Sequence, residues 1–239
     1  MTATLDATAT TTVSDFVAPA PLDLYKDIHK GVRAALFAVV AQAGSIDPGS
    51  GPARAALAAD VHQVAWLLDA HAAHEDAHCQ PAIEAHAPEL AAMIAEVHPQ
   101  LEARVASFAA LADVVAATDG PQARAGVHTL YLELAAFTGD YLVHQDFEER
   151  RVMTTLAARM PFEEVLAVND AIVSSIPPDD MATSLSIMLP AMNVDDRTEL
   201  LGGIRAGAPA EVFAGICALS RSVLDPADWE AVAARLEVA

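Results

Sequence analysis

Two stretches of the chain set a glutamate four residues after a histidine: His71 with Glu75 in HAAHE, and His144 with Glu148 in HQDFE. On a helix that spacing separates two side chains by about 40° around the axis and about 6 Å along it, so both can reach one metal centre. Each pair continues an otherwise apolar stripe, with Val64, Leu67 and Leu68 leading into His71, and Leu130, Phe137 and Tyr141 leading into His144. A carboxylate in such a stripe is costly unless a proton, a partner or a metal neutralises it. No lysine or arginine stands on either stripe near the pairs, so a metal is the economical neutraliser. Two further histidines sit on apolar faces: His29 with Tyr25, Val32 and Leu36, and His98 with Ile94, Leu101 and Val105. The set is then four imidazoles and two carboxylates. Mixed nitrogen and oxygen donors of this kind suit iron or manganese better than zinc, whose structural sites favour closed tetrahedra with sulfur.

Four long helical patterns must position these donors. Apolar periodicity and turn residues predict helices over about 22–43, 52–79, 88–117 and 121–159, with a break between Pro81 and Pro88 and a kink at Pro99. Four helices of this length with short or medium connections describe an all-α, up-down four-helix bundle over residues 21–159. Residues 1–20 are a low-complexity run of Thr, Ala and Pro, read as a disordered tail. From residue 160 the texture changes to short segments, at about 161–175, 178–189, 195–206, 209–223 and 226–237, punctuated by prolines. Residues 160–239 therefore read as a smaller C-terminal helical subdomain, and they contain no histidine.

The order His29, His71-x-x-x-Glu75, His98, His144-x-x-x-Glu148, with acidic doublets at Glu75-Asp76 and Glu148-Glu149, resembles the hemerythrin-like (HHE cation-binding) domain over about residues 22–158. The resemblance implies a non-heme di-iron centre, with the two glutamates bridging a pair of iron ions that also share an oxo or hydroxo group. The sequence departs from the oxygen carriers of that family at Glu102, which stands where they place a fifth histidine. Glu102 is thus a possible additional metal ligand, and without it two coordination positions are open. Open positions favour reaction with small oxidants over reversible oxygen carriage. A ferritin-like di-iron bundle needs Glu-x-x-His on two helices, and only Glu75-Asp76-Ala77-His78 has it. Tyr25 and Tyr141 each lie one turn before a proposed ligand, where a phenol can deliver a proton or simply pack. His74, His78, His62, His86 and His128 are expected at the surface or behind the ligands, and Met181, Met188 and Met192 in a core. Gly139 is read as a point of close helix approach, as a bulge near the site, or as a residue that only weakens the helix.

Composition bounds the function. Alanine supplies 53 of 239 residues and the aromatic residues only 5%, which excludes a β-sandwich or barrel. A net charge of -20 opposes binding to nucleic acid or anionic membranes. Cys79 and Cys217 form no CxxC motif, and no signal peptide or membrane span is recognisable, so a cytoplasmic protein is expected. Eleven arginines against two lysines fit a GC-rich bacterial source. The expected activity is the consumption of hydrogen peroxide, alone or with nitric oxide, at a di-iron centre. The alternative is a module that binds O2 or iron for sensing or storage without turnover.

Overall fold

The computed structural model describes residues 20–238, so the expected N-terminal tail lies almost entirely outside the described residues. Those residues form helices α1 (Lys26–Ser45), α2 (Gly51–His74), α3 (Gln80–His86), α4 (Pro88–Ala117), α5 (Pro121–Phe147), α6 (Thr154–Arg159), α7 (Phe162–Ser175), α8 (Pro178–Ala191), α9 (Val194–Gly207), α10 (Ala210–Val223) and α11 (Pro226–Leu236). There is no strand among them, and the protein is all-α. Among the described residues no helix is long and apolar enough to cross a membrane.

Local chemistry sets the helix ends. Asp23 accepts hydrogen bonds from the backbone N–H of Tyr25 and of Lys26, both at 3.0 Å, which delays α1 to Lys26 rather than the expected residue 22. Ser50 caps α2 through the N–H of Ala53, with Pro52 in the first turn. Gly120, at φ 69°, turns the chain from α4 into α5 in a conformation that side chains disfavour.

The second and fourth rods are longer than their α-helical parts. A π-helical turn, Glu75–Cys79, joins α2 to α3, and another, Glu148–Met153, joins α5 to α6. The break expected between Pro81 and Pro88 is therefore confined to Ala87, and helix continues up to His86. Pro81 sits in the first turn of α3, where the π turn has already displaced the bonding register and a missing N–H matters least. Helix α4 likewise runs on through Pro99.

α1, α2, α4 and α5 pack as a four-membered ring of neighbours, α1 against α2 and α5, α4 against α2 and α5. Their interior is divided. One apolar cluster, including Leu36, Leu57, Val61, Phe108, Leu134 and Phe137, fills the end near the α1–α2 and α4–α5 connections. A second, including Tyr25, Cys79, Ile83, Ile94, Val152 and Leu156, fills the other end, and Val165 of α7 joins it. Between them lie the buried polar side chains His29, His71, Glu75, His98, His144 and Glu148.

α8–α11 enclose a third apolar cluster around Leu185, Leu189, Leu201, Trp229 and Val232, joined in part by Met181. α8 lies along α1, where Met188 Cγ would stand 3.1 Å from a Cβ at Gly31. A Cβ there would press on Met188, side chain and backbone, which would have to give by a few tenths of an ångström. Lys26 and Lys30 of α1 both reach Asp196 at the start of α9, Lys26 at 3.0 Å. The methionines expected to fill a core do so, with Met192 buried and Met181 and Met188 half-buried.

Candidate metal centre

The four helices bring the six expected donors to one level of the bundle. His29 Nε2 and His71 Nε2 lie 3.1 Å apart, their rings edge to face with centroids 5.0 Å apart. His98 and His144 form a matching edge-to-face pair, also with centroids at 5.0 Å. Each carboxylate faces both pairs. Glu75 Oε1 is 3.2 Å from His71 Nε2 and its Oε2 3.7 Å from His98 Nε2. Glu148 Oε1 is 3.1 Å from His144 Nε2 and its Oε2 3.5 Å from His29 Nε2. Two sets of donor atoms converge closely enough for one ion each: His29, His71 and Glu75, and Glu75, His98, His144 and Glu148.

These donors fit a metal better than they fit one another. Both oxygens of Glu75, Oε2 of Glu148 and Nε2 of His98 are buried without a hydrogen-bond partner, a costly condition in a native interior. Donors bound side by side to one octahedral ion at about 2.1 Å stand roughly 3.0 Å apart, which is the His29–His71 separation within error.

The outer nitrogens are tied down. His29 Nδ1 lies 2.9 Å from Glu149 Oε1, which also accepts a 2.7 Å bond from Arg33, and His98 Nδ1 lies 2.7 Å from Asp76 Oδ1. A carboxylate on Nδ1 keeps the proton there and leaves Nε2 free to donate its lone pair. Sequence reasoning quoted both acidic doublets but gave Asp76 and Glu149 no task. The signal was present, because the second acid of each doublet lies about 100° around the helix from the first, toward the back of a neighbouring imidazole.

Charge is distributed unevenly among the donors. Burial, then the nearby Glu148 carboxylate, hold the Glu75 carboxyl well above the usual carboxylate range. Burial also acts on Glu148, but the imidazoles of His144 and His98 outweigh it and draw its carboxyl below that range. Burial, reinforced by His29, pushes His71 toward the neutral imidazole that a metal requires.

Tyr25 is buried with its ring 5.3 Å from that of His29, and its hydroxyl pairs with the Cys79 thiol. Tyr141 is buried with its ring 5.7 Å from that of His144. Burial raises both phenols above their ordinary value, and the neighbouring acidic groups add to it. Tyr141 also lines a cavity of about 10 Å³ available to the centre of a water-sized molecule, which reaches Glu75, His98 and His144. Glu102 is exposed on the rim of this cavity and does not join either donor set.

The other histidines stand apart from the cage. His62 pairs with Asp113, His86 with Glu164 and His78 with Ser175, while His128 stacks on Tyr131 and His74 is half-buried. Gly139 is exposed, and a Cβ there would meet open space, so it serves neither close approach nor a bulge. The bulges fall instead at the two glutamates.

Comparison with known proteins agrees with this geometry. No curated protein and no solved structure matches the chain. The Hemerythrin HHE cation binding domain family matches residues 20–156, more than half the chain and the whole of the ring that carries the buried histidines and glutamates. The family and the buried His/Glu cluster together indicate metal binding, typically of iron. The chain belongs to the hemerythrin HHE cation-binding domain family.

Proposed function

We propose that the chain holds two iron ions, one on His29, His71 and Glu75 and one on His98, His144 and Glu148, and uses them to bind and consume hydrogen peroxide, alone or with nitric oxide. The observation that carries this reading is that each glutamate places one oxygen toward each histidine pair, as a bridging carboxylate would. Donors limited to imidazole and carboxylate suit iron. Bound there, iron would supply Lewis acidity and one-electron redox chemistry.

The remaining work belongs to the chain. Asp76 and Glu149 hold the Nδ1 protons of His98 and His29, which fixes both rings with Nε2 inward. Leu68, Leu101 and Val105 wall the small cavity and exclude bulk water. Tyr141 faces the same cavity as a neutral phenol and can hold or give a proton to a molecule there, while Tyr25 keeps its proton on the Cys79 side of His29.

Purified protein from iron-supplied cells should contain about two irons per chain and remove peroxide faster than the same iron free in solution. His144→Ala should lose this turnover, and Tyr141→Phe should slow it at equal iron content. One zinc per chain, or no metal, refutes the reading.

A second reading has one observation in its favour. Lys26, Lys30 and Gly31 of α1, which flank His29, are the residues gripped by α8 and α9. A change at His29 would reach residues 160–239 through them, as a sensor requires. Iron-loaded protein with no turnover above free iron, together with metal-dependent hydrogen exchange in α8–α9, would select it.

A further inference from the structure

The cavity beside the candidate centre has an apolar throat and an acidic mouth. Its inner end is Glu75, His98 and His144, all buried, and two of these carry unpartnered atoms. Its outer end is Asp69 of α2 and Glu102 of α4, both exposed. Neither carboxylate is paired with a lysine, arginine or histidine among the described residues. A ligand approaching the inner donors by this route passes between two uncompensated negative charges.

We propose that Asp69 and Glu102 act as a charge filter, so that the site admits neutral molecules of a few atoms, such as hydrogen peroxide, O2 or nitric oxide, and turns away small anions. The inference rests on the iron reading given above and adds the specificity of its entrance. Size is set by the throat, where about 10 Å³ is available to the centre of a water-sized molecule, roughly one such molecule. Charge is set by the mouth. Apolar walls weaken screening, so two carboxylates there act on an entering anion more strongly than they would on an open surface. The chain's net charge of -20 adds to the same field. The filter has a clear use, because a cationic centre with open positions would otherwise collect whatever small anion is most abundant. On this placement Glu102 stands where the family's oxygen carriers put a ligand, and serves as a gate.

The test uses the full-length, iron-loaded protein. Azide, an anion at neutral pH, is the charged probe and nitric oxide the neutral one, each followed by stopped-flow absorbance. Asp69→Asn, Glu102→Gln and the double variant are compared with wild type, with Glu230→Gln on α11 as a control for total charge. The double variant should take up azide on the order of tenfold faster at low salt, the two single variants falling between. The difference should shrink at high salt, while nitric oxide uptake and iron content stay unchanged. Azide kinetics equal to wild type at full iron content would overturn the filter and leave the iron reading standing. Equal acceleration of both probes would also overturn it, because the substitutions would then have widened the throat. Loss of iron on Glu102→Gln would make Glu102 a ligand and overturn its place at the mouth. Wild-type protein that takes up no iron would overturn both readings.

Discussion

If Glu75 is held for a metal, removing it should have opposite effects on the empty and the loaded protein. Both Glu75 oxygens are buried without a hydrogen-bond partner. An unsatisfied buried group of this kind costs about 1–3 kcal/mol, and replacing it with an apolar side chain of similar length removes that cost and adds packing. Glu75→Met should therefore raise the stability of the chelator-treated protein by about 2 kcal/mol, or roughly 4–8 °C in Tm for a chain of this size. Iron at 100 times its Kd should stabilise the wild type by about 2.7 kcal/mol and the variant hardly at all. The order of stability then reverses when iron is added.

Glu148 supplies the contrast. Its Oε1 lies 3.1 Å from His144 Nε2, and its carboxyl is drawn down by the imidazoles around it. Glu148→Met strands those imidazoles and should destabilise even the empty protein, by about 3 kcal/mol. Thermal unfolding followed by far-ultraviolet circular dichroism, with chelator and with anaerobic ferrous iron, reads all three proteins in both conditions. A chelated Glu75→Met protein less stable than wild type by 1 kcal/mol or more would show that Glu75 is a structural partner of the histidines. An undiminished gain on adding iron would show that the metal does not use it.

The carboxylates behind the histidines should matter to affinity more than to fold: Asp76→Asn and Glu149→Gln should each weaken iron binding by about 10–100-fold in competition with a chelator, and unchanged affinity would free those residues of any orienting role. The clamp between α1 and α9 should fail in acid. Burial raises Asp196, but Lys30 and Lys26 outweigh it and hold its carboxyl below its ordinary 3.8, while burial of Lys26 is outweighed by Asp196, which raises the amine above 10.5. A lowered acid contributes stability above its unfolded value and loses it as pH falls, and a raised amine contributes below its unfolded value and loses it as pH rises. The clamp is thus intact between about pH 4 and 10, and in a Trp66→Phe background Trp229 fluorescence should report loosening of α8–α11 below about pH 4. Asp196→Ala should loosen them at neutral pH by about 1–2 kcal/mol, and a Trp229 signal indifferent to both would refute the clamp.

The sequence made the buried His/Glu cluster legible because imidazoles and carboxylates on otherwise apolar helix stripes are conspicuous. The five short C-terminal segments were legible too, since prolines mark the starts of α7, α8, α10 and α11, and Asn193 caps α9 through the N–H groups of Asp195 and Asp196. Contacts between distant segments were not legible. Arg54 is buried at the far end of the bundle, donating to the carbonyls of Val115 and Pro48 and to Asp119. In the sequence it is one arginine among alanines. Nor could spacing place Glu102 outside the cage, because position on a helix face does not fix how far a side chain reaches.

The two π turns were legible in principle, in the spacing of the buried residues that follow His71 and His144. His71, Glu75, Cys79, Ile83 and Ala87 are all buried, as are His144, Glu148, Val152, Leu156 and Met160. Each series keeps a strict four-residue step. On a helix of 100° per residue such a series drifts 40° per step, or about 160° over four steps, which carries its last member to the opposite side of the rod. A chain that buries all five must therefore take up the drift, and one inserted residue removes about 100° of it. Both insertions begin at the glutamate that faces both histidine pairs. The apolar residues beyond each glutamate, packed into the second cluster with Tyr25 and Ile94, hold the wide turn in place. The same packing holds the carboxylate at its level in the bundle, so the second core does more than stabilise the fold: it sets the height at which Glu75 and Glu148 meet the imidazoles. Shortening Leu156 or Ile83 to alanine should accordingly disturb metal binding as well as stability, although neither belongs to the donor sets.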